Sequence, residues 1–574
     1  MLTLSRCIIS IAIIFAAGLL AQAQPTKETK ENGALAGRVT TGEGRGAAGI
    51  ALALMPADWG PERKPVARAT TDADGRYRMM NVPAGRYRLQ ALAPAFYAPD
   101  ARGSGFAGNG RAVNLAAGEA IENEDLKLEG GGVITGRVVD ADGKPVIGEH
   151  VIVSLVEQPE RRGFAGYVTN PFDFETDDRG IYRIYGLPGG QYHVSVGQDK
   201  DSGIVRIGFG GKTYTRTFHP GVKDVSQAKP VELSAGGEAT GVDITMAEAP
   251  KSFEARGRVI DADTNQPVAK VKYGYGSLGE GANEVGSWGM DGSETNDAGE
   301  FVVRNLGPGR YAAFAVNDGR RSTYSDAATF EINDANVSGL VIKVRRGGSV
   351  SGSVILEGTN DPEAAAKLSG LSLGARVVTP KNSAGISSPA NSQARLGANG
   401  SFTLTGLRPG KVQLFLAGWP PVKGFIITRI ERDSVDFADG IEVGAGESIS
   451  GVRVHVAYGT GVMRGQVEVR DGGQPASLPA GARLSVSARR LGVAAGPPWS
   501  GNSVEVDARG RFILDGLAAG DYEVAVRGWI AGQPGTPPGA RLPNIKQNVT
   551  VPGSGETLIT LVYDLSAKPE ERQP

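Results

Sequence analysis

The chain has 574 residues, with 61 Lys and Arg against 62 Asp and Glu and a formal charge of −1. It has no cationic excess to hold a phosphate backbone, so nucleic acid is excluded as a partner. Gly at 84 residues, Pro at 33 and only 6% aromatics suit short strands joined by many turns rather than long helices, and the length calls for roughly three to five domains.

The first element is a leader. Met1 to Arg6 is short and positively charged, Cys7 to Leu20 is a mostly apolar run, and Ala21-Gln22-Ala23 offers small residues to a signal peptidase. Residues 1–23 are expected to be a signal peptide cleaved before Gln24, which sends the protein to the periplasm, the outer surface or the medium. The apolar run is shorter than the ~20 residues that cross a bilayer as a helix, and no later segment reaches that length. Cys7 is the only cysteine. The mature chain therefore has no thiol or disulfide and must be stabilised by burial alone.

From residue 33 onward one pattern returns five times. It is clearest in TDADGRYRMMNVPAGRYRL, which starts at Thr71, and returns from Thr176, Asn296, Leu396 and Val506. Gly75, Gly180, Gly299, Gly400 and Gly510 are each followed ten residues later by a second glycine, at 85, 190, 309, 410 and 520. Two residues after the first glycine stands an aromatic, Tyr77, Tyr182, Phe301, Phe402 or Phe512; twelve after it stands Tyr87, Tyr192, Tyr311, Val412 or Tyr522. The alternation of Tyr77 and Met79 with Arg76 and Arg78 has the period of a half-buried strand, and Pro83-Ala84-Gly85 turns it into a hairpin. Asp72, Asp177 and Asp507, three residues before the glycine, are placed to close an Asx turn, and Asp297 is expected to do so in the third copy. Gly397 in the fourth copy predicts a looser turn.

Each copy is preceded by an opening strand, at Gly37-Arg38-Val39, Gly136-Arg137-Val138, Gly257-Arg258-Val259, Gly352-Ser353-Val354 and Gly465-Gln466-Val467. Each is followed by two closing strands. This predicts an all-β protein of five tandem seven-stranded Greek-key-type β-sandwich units at 33–130, 131–250, 251–347, 348–458 and 459–566. Helical periodicity is confined to Asp361 to Ser369. The short linkers Gly130-Gly131-Gly132 and Arg346-Gly347-Gly348 predict units strung end to end in an elongated array.

An opening G-x-V strand, a D-G-x-P turn such as Asp142-Gly143-Lys144-Pro145, then D-x-x-G-x-[YF] and L-P-x-G-x-Y together resemble the carboxypeptidase regulatory-like domain, a transthyretin-like β-sandwich. The resemblance implies the fold in all five units and is strongest in the first three. It brings no catalytic residues, because the motif consists of turn and core positions. Such domains accompany zinc carboxypeptidases, outer-membrane receptors and other exported proteins. No Lys recurs at a first-strand position, as an isopeptide-forming Cna B-type module would require.

Chemistry-bearing patterns are few. The four histidines, His150, His193, His219 and His455, have no Glu three residues on, so no zinc-peptidase array forms. His193 follows inward-facing Tyr192 and is expected to point outward, and solvated histidines are the default reading. Asp261-Ala262-Asp263-Thr264-Asn265 begins like a calcium loop, but Gln266 and Lys272 replace its glycine and glutamate, leaving a turn. The glycine runs at 44–49 and 103–108 match a dinucleotide fingerprint without its strand-to-helix setting, and Gly370-Leu371-Ser372-Leu373-Gly374 mimics a nucleophile elbow in reversed order. No metal, cofactor or catalytic residue is expected.

That leaves the aromatics of the non-recurring stretches. Trp59, Trp288 and Trp499 lie between the second strand and the D-x-x-G turn, where the second unit offers Tyr167, Phe172 and Phe174. Trp419 and Trp529 each lie nine residues after the second glycine. Flat aromatics at loop tips either cap their own sandwich or stack on a ligand. The expectation is a non-catalytic exported protein that binds polysaccharide through these aromatics, or another envelope protein through exposed edge strands.

Overall fold

The computed structural model describes residues 31–567 apart from 59–63, 100–109, 157–173, 198–215, 247–251, 279–286, 290–293, 318–320, 379–390, 419–422, 438, 480, 493–501 and 531–541. The expected signal peptide and the glycine run at 103–108 lie outside the described residues.

The first unit sets the plan. Its strands are β1 (Gly33–Thr41), β2 (Ala51–Pro56), β3 (Ala67–Thr70), β4 (Arg76–Val82), β5 (Gly85–Ala91), β6 (Phe96–Tyr97), β7 (Arg111–Leu115), β8 (Ala120–Ile121) and β9 (Leu126–Gly130). One sheet runs β4-β1-β9-β6 with β8 also on β1, and the other runs β3-β2-β5-β7. The opening strand β1 is antiparallel to β4 and parallel to the closing strand β9. Along β4 the period of two holds as far as Met79: Tyr77 and Met79 face in and Arg76 and Arg78 face out. A register shift then opens opposite Gly33 and Leu35, and the inward phase resumes at Val82. Leu35, Leu52, Leu54, Tyr77, Met79, Leu89 and Leu126 close the core between the sheets, each burial stabilising by roughly 1.5–3 kcal/mol.

Ten sheets of this kind enclose five separate buried clusters among the described residues. The other four clusters are built around Tyr182 and Tyr192, Phe301, Phe402, and Phe512 with Tyr522. The chain is all-β as expected, with one α-helix among the described residues, α1 (Pro362–Ser369), capped by the Asp361 side chain. Among the described residues each unit has eight or nine strands rather than seven. The extras are short edge pieces such as β6 and β8, too brief to leave an alternating pattern in sequence.

The hairpin residues have specific tasks. The first glycine of each copy takes φ between +71° and +78°, which a side chain would resist. Asp72 Oδ1 accepts the amides of Asp74 at 3.0 Å and Arg76 at 2.8 Å, and Asp177 does the same for Arg179 and Ile181. In the third unit the side chain that closes the turn is Asn296, which accepts from Ala298 and Glu300, and not Asp297. Asn296 is the residue three before Gly299, and its amide oxygen serves as well as a carboxylate. The turn at Gly397 is not looser: Gly397 and Ser401 make the same backbone bond at 2.8 Å, and Asn399 accepts the Ser401 amide.

The recurring tyrosine is explained by its hydroxyl. Tyr87, Tyr192, Tyr311 and Tyr522 each donate to the carbonyl four residues back, at Pro83, Pro188, Gly307 and Ala518, and so pin the turn between the strands. Tyr311 is half-buried, and the other aromatic repeat positions are buried.

The elongated arrangement does not hold. Gly131 and Gly347 are single-residue links between closing and opening strands, as the short linkers suggest. Yet Arg88 of the first unit pairs with Glu505 of the fifth at 2.6 Å, so the ends of the array meet. The physical reason is that each end presents an unpaired strand edge whose polar groups the other satisfies.

Candidate functional site

The loop aromatics divide by what surrounds them. Trp529 is the penultimate residue of the strand Gly520–Ile530, half-buried and opposite Arg483. The backbone of Trp288 lies in the strand Ser287–Gly289, paired with Gly276. Trp59, Trp419, Trp499, Tyr167 and Phe172 lie outside the described residues. Phe174 is half-buried, meets Tyr185 edge-on at 5.2 Å and packs on its own core, so this aromatic caps its sandwich.

The histidines correct the sequence reading. His193, His219 and His455 are 7%, 8% and 6% exposed, so they are buried and not solvated. His193 is on the outer side of its strand, but Phe218 covers it at 6.2 Å. Burial and, less so, the nearby Arg216 hold its pKa below the usual value. His219 Nδ1 is 2.6 Å from the Asp243 carbonyl, and His150 lies 3.3 Å from Glu175. His455 stands between two carboxylates, with Nδ1 2.6 Å from Glu357 and Nε2 3.2 Å from Glu431. Glu431 also pairs with Arg429 and Arg453, and its pKa is lowered, first by the His455 hydrogen bond. This is the densest titratable cluster in the fourth unit. Its charges are already paired within the sheet.

No group of three or more His, Cys, Asp or Glu side chains fit to hold a metal occurs among the described residues. Asp261 Oδ1 accepts the amides of Asp263 and Thr264 and the Thr264 hydroxyl, so the calcium-like stretch is an Asx turn. Ser372, in the elbow-like run, begins the strand Ser372–Val377, which follows α1. An open cavity of about 260 Å³ in the fourth unit is lined by Lys411, Arg432, Phe437, Glu442 and Glu447 among others. It is smaller than the usual small-molecule pocket, and its cations and carboxylates balance. No helix among the described residues is long and apolar enough to cross a membrane.

No curated protein matches the chain in sequence. Among solved structures it is similar to a streptococcal ancillary pilin, with 13% identity over 54% of this chain and 99% of the pilin and a TM-score of 0.23. It is similar also to the Bacillus anthracis TIE protein, with 13% identity over 73% of each chain and a TM-score of 0.15. The minor pilin GBS52 of Streptococcus agalactiae shares 15% identity over 38% of this chain and 97% of its own, with a TM-score of 0.17. Residues 34–129, which hold the first pair of sheets and the hairpin built on Gly75 and Tyr77, match the carboxypeptidase regulatory-like domain family.

Proposed function

We propose that this is a non-catalytic, exported multi-unit protein whose non-recurring loops recognise an extracellular polymer, carbohydrate first. One observation carries the reading: the recurring residues are consumed by turns and core, leaving the aromatics between them as the chemistry free to meet a ligand. Trp529 supports it, since it stays half-buried at the end of a strand while its neighbour Ile530 is 7% exposed. A flat indole with one open face can stack on a sugar ring. The test is a glycan array with the chain from Gln24, alongside Trp529→Ala, Trp288→Ala and Trp59→Ala. Binding that falls at least about tenfold in one of these variants, a loss of ~1.4 kcal/mol, is the expected result. Absence of glycan binding, or binding that all three changes leave intact, overturns it.

A second reading, protein docking at a sheet edge, is favoured by the closing strand Glu556–Asp564. In the first, third and fourth units the outer side of the closing strand pairs with a further strand, β6, Thr323–Ser325 or Phe425–Arg432. Among the described residues Glu556–Asp564 pairs only with Gly461–Asp471, and Leu558 and Val562 on it are 76% and 43% exposed. An extended partner segment could add there by β-augmentation. Leu558→Lys with Val562→Lys would then abolish partner capture without changing glycan binding.

A further inference from the structure

The D-x-x-G turn of the fifth unit does two jobs. As Asp72 and Asp177 do in their copies, Asp507 accepts two amides with one oxygen, those of Arg509 and Arg511, both at 2.9 Å. Its other oxygen accepts the amide of Asn114 at 3.2 Å and the Arg509 guanidinium at 2.8 Å. Asn114 lies on β7, the edge strand of the first unit, and is 3% exposed. Its side-chain amide donates to the Arg511 carbonyl at 2.9 Å and the Glu505 carbonyl at 3.3 Å, and its own carbonyl accepts from Arg509 at 2.7 Å. Glu119 takes both Arg509 and Arg511, at 2.8 and 2.6 Å. Glu505, which accepts Arg88, also accepts Arg483 at 2.8 Å. At the rim Lys423 of the fourth unit bridges Asp58 of the first and Asp515 of the fifth, at 2.5 and 3.3 Å.

Two open strand edges thus cover each other, β7 against Arg511–Leu517. The cover is made of charged and hydrogen-bonding groups. Such a surface is stable in water when exposed, and desolvation offsets much of its Coulomb attraction when closed, so the net hold is small.

Seats between neighbouring units decide which of them move together. Six residues after the first glycine every unit has a residue in the left-handed region: Asn81 at φ +57°, Gly186 at +71°, Asn305 at +60°, Gly406 at +69° and Gly516 at +72°. Where it is glycine, the preceding unit sits directly on it. A Cβ at Gly186 would lie 3.5 Å from the Pro94 carbonyl oxygen of unit one, one at Gly406 2.7 Å from the Thr323 carbonyl oxygen of unit three, and one at Gly516 2.7 Å from the Gly424 nitrogen of unit four. Units one and three have Asn81 and Asn305 at this place instead. The three seats join units one and two, and units three, four and five, into two blocks.

We propose that the contact between units one and five is a reversible latch, released when units one and two move together away from unit five. The chain from Gln24 has no thiol, so paired cysteines can be spin-labelled uniquely. Lys127→Cys with Gln547→Cys spans the latch, Lys127→Cys with Lys229→Cys reports the first block, and Lys343→Cys with Gln547→Cys the second. Distances are read at about 50 mM and about 1 M NaCl, where screening shrinks to ~3 Å. At low salt the latch pair should give one narrow distance. Arg88→Glu, Arg509→Glu or high salt should lengthen it by about the width of a unit, roughly 25 Å, with both block pairs unchanged. The Arg509→Glu variant keeps the test open if Arg88→Glu disturbs unit one. A latch distance unchanged in both variants and at high salt, or broad in the unmodified chain at every salt, overturns the latch. Lengthening within a block overturns the joint movement of its units.

Discussion

Gly136→Ala tests why the fifth residue of each opening strand is glycine. A methyl group at Gly136 would fall inside van der Waals contact of the Val242 main-chain oxygen and 2.9 Å from the Tyr182 hydroxyl. That oxygen has no freedom to retreat: it accepts the Tyr182 hydroxyl at 2.5 Å, and the Val242 amide donates to the Thr135 carbonyl at 3.1 Å. Overpacking costs ~1–3 kcal/mol, and disturbing the tyrosine bond adds ~1 kcal/mol. The expected destabilisation is about 3 kcal/mol, confined to unit two. Gly143→Ala is the control, because Gly143 has φ +77° but nothing within 4 Å of its added Cβ. Backbone strain alone predicts ~1 kcal/mol there. None of the five tryptophans lies between Gly132 and Ser252, so native-state hydrogen exchange is the suitable assay. Peptides spanning 181–196 should exchange on the order of 100-fold faster in Gly136→Ala. Equal exchange in that variant, or an equal effect of Gly143→Ala, would show that close approach of the closing strand is not what excludes a side chain.

Tyr192→Phe removes the bond to the Pro188 carbonyl in a fully buried position and should cost ~1–2 kcal/mol, read as faster exchange across the same hairpin; no change would deny the hydroxyl its role. The Asp177 carboxyl is held below its ordinary range, chiefly by the Ile181 amide. A depressed folded pKa gives stability that is complete above the unfolded value of ~4 and lost as pH falls through the folded one. Protection of the hairpin should therefore drop as the pH falls below about 4. Asp177→Asn should keep the turn, as Asn296 does, and lose that pH dependence; an unchanged pH profile would refute the assignment.

The hairpin is legible in the sequence because its constraints are local. A positive φ, an Asx turn and a hydroxyl reaching four residues back each act within about ten residues, so they repeat at fixed spacing wherever the hairpin does. The short edge strands are not legible, since two residues cannot show a period. The histidines are misread for a related reason. Alternation places His193 on the outer side of its strand, but whether that side meets water depends on Phe218 in a different strand. The aromatic sites are only partly legible: their loops vary, so no spacing says which indole caps a sandwich and which faces outward.

The turn of unit five shows where local reading ends. Asp72, Asp177 and Asp507 occupy the same place in the same motif, and each caps its own turn in the same way. In unit one the neighbouring pair Arg76 and Asp74 is solvated, with both side chains 67% exposed. In unit five Asp507 is fully buried and Arg509 25% exposed, because β7 arrives from nearly 400 residues away. Nothing between residues 500 and 515 signals that arrival. Burial beside this seam also pushes the Glu124 carboxyl upward, against the pull of Arg111 and with the repulsion of Asp507 adding to the rise. One signal of the long-range arrangement is nonetheless written locally. At the left-handed position six residues after the first glycine, units two, four and five have glycine, and each has an atom of the unit before it within 3.5 Å of where a Cβ would stand. Asn tolerates that backbone conformation but carries a side chain, whereas glycine leaves room for a neighbour at the bulge. Each of these seats is thus marked by one glycine in its copy, while the closure between units one and five depends on a surface that no single copy specifies.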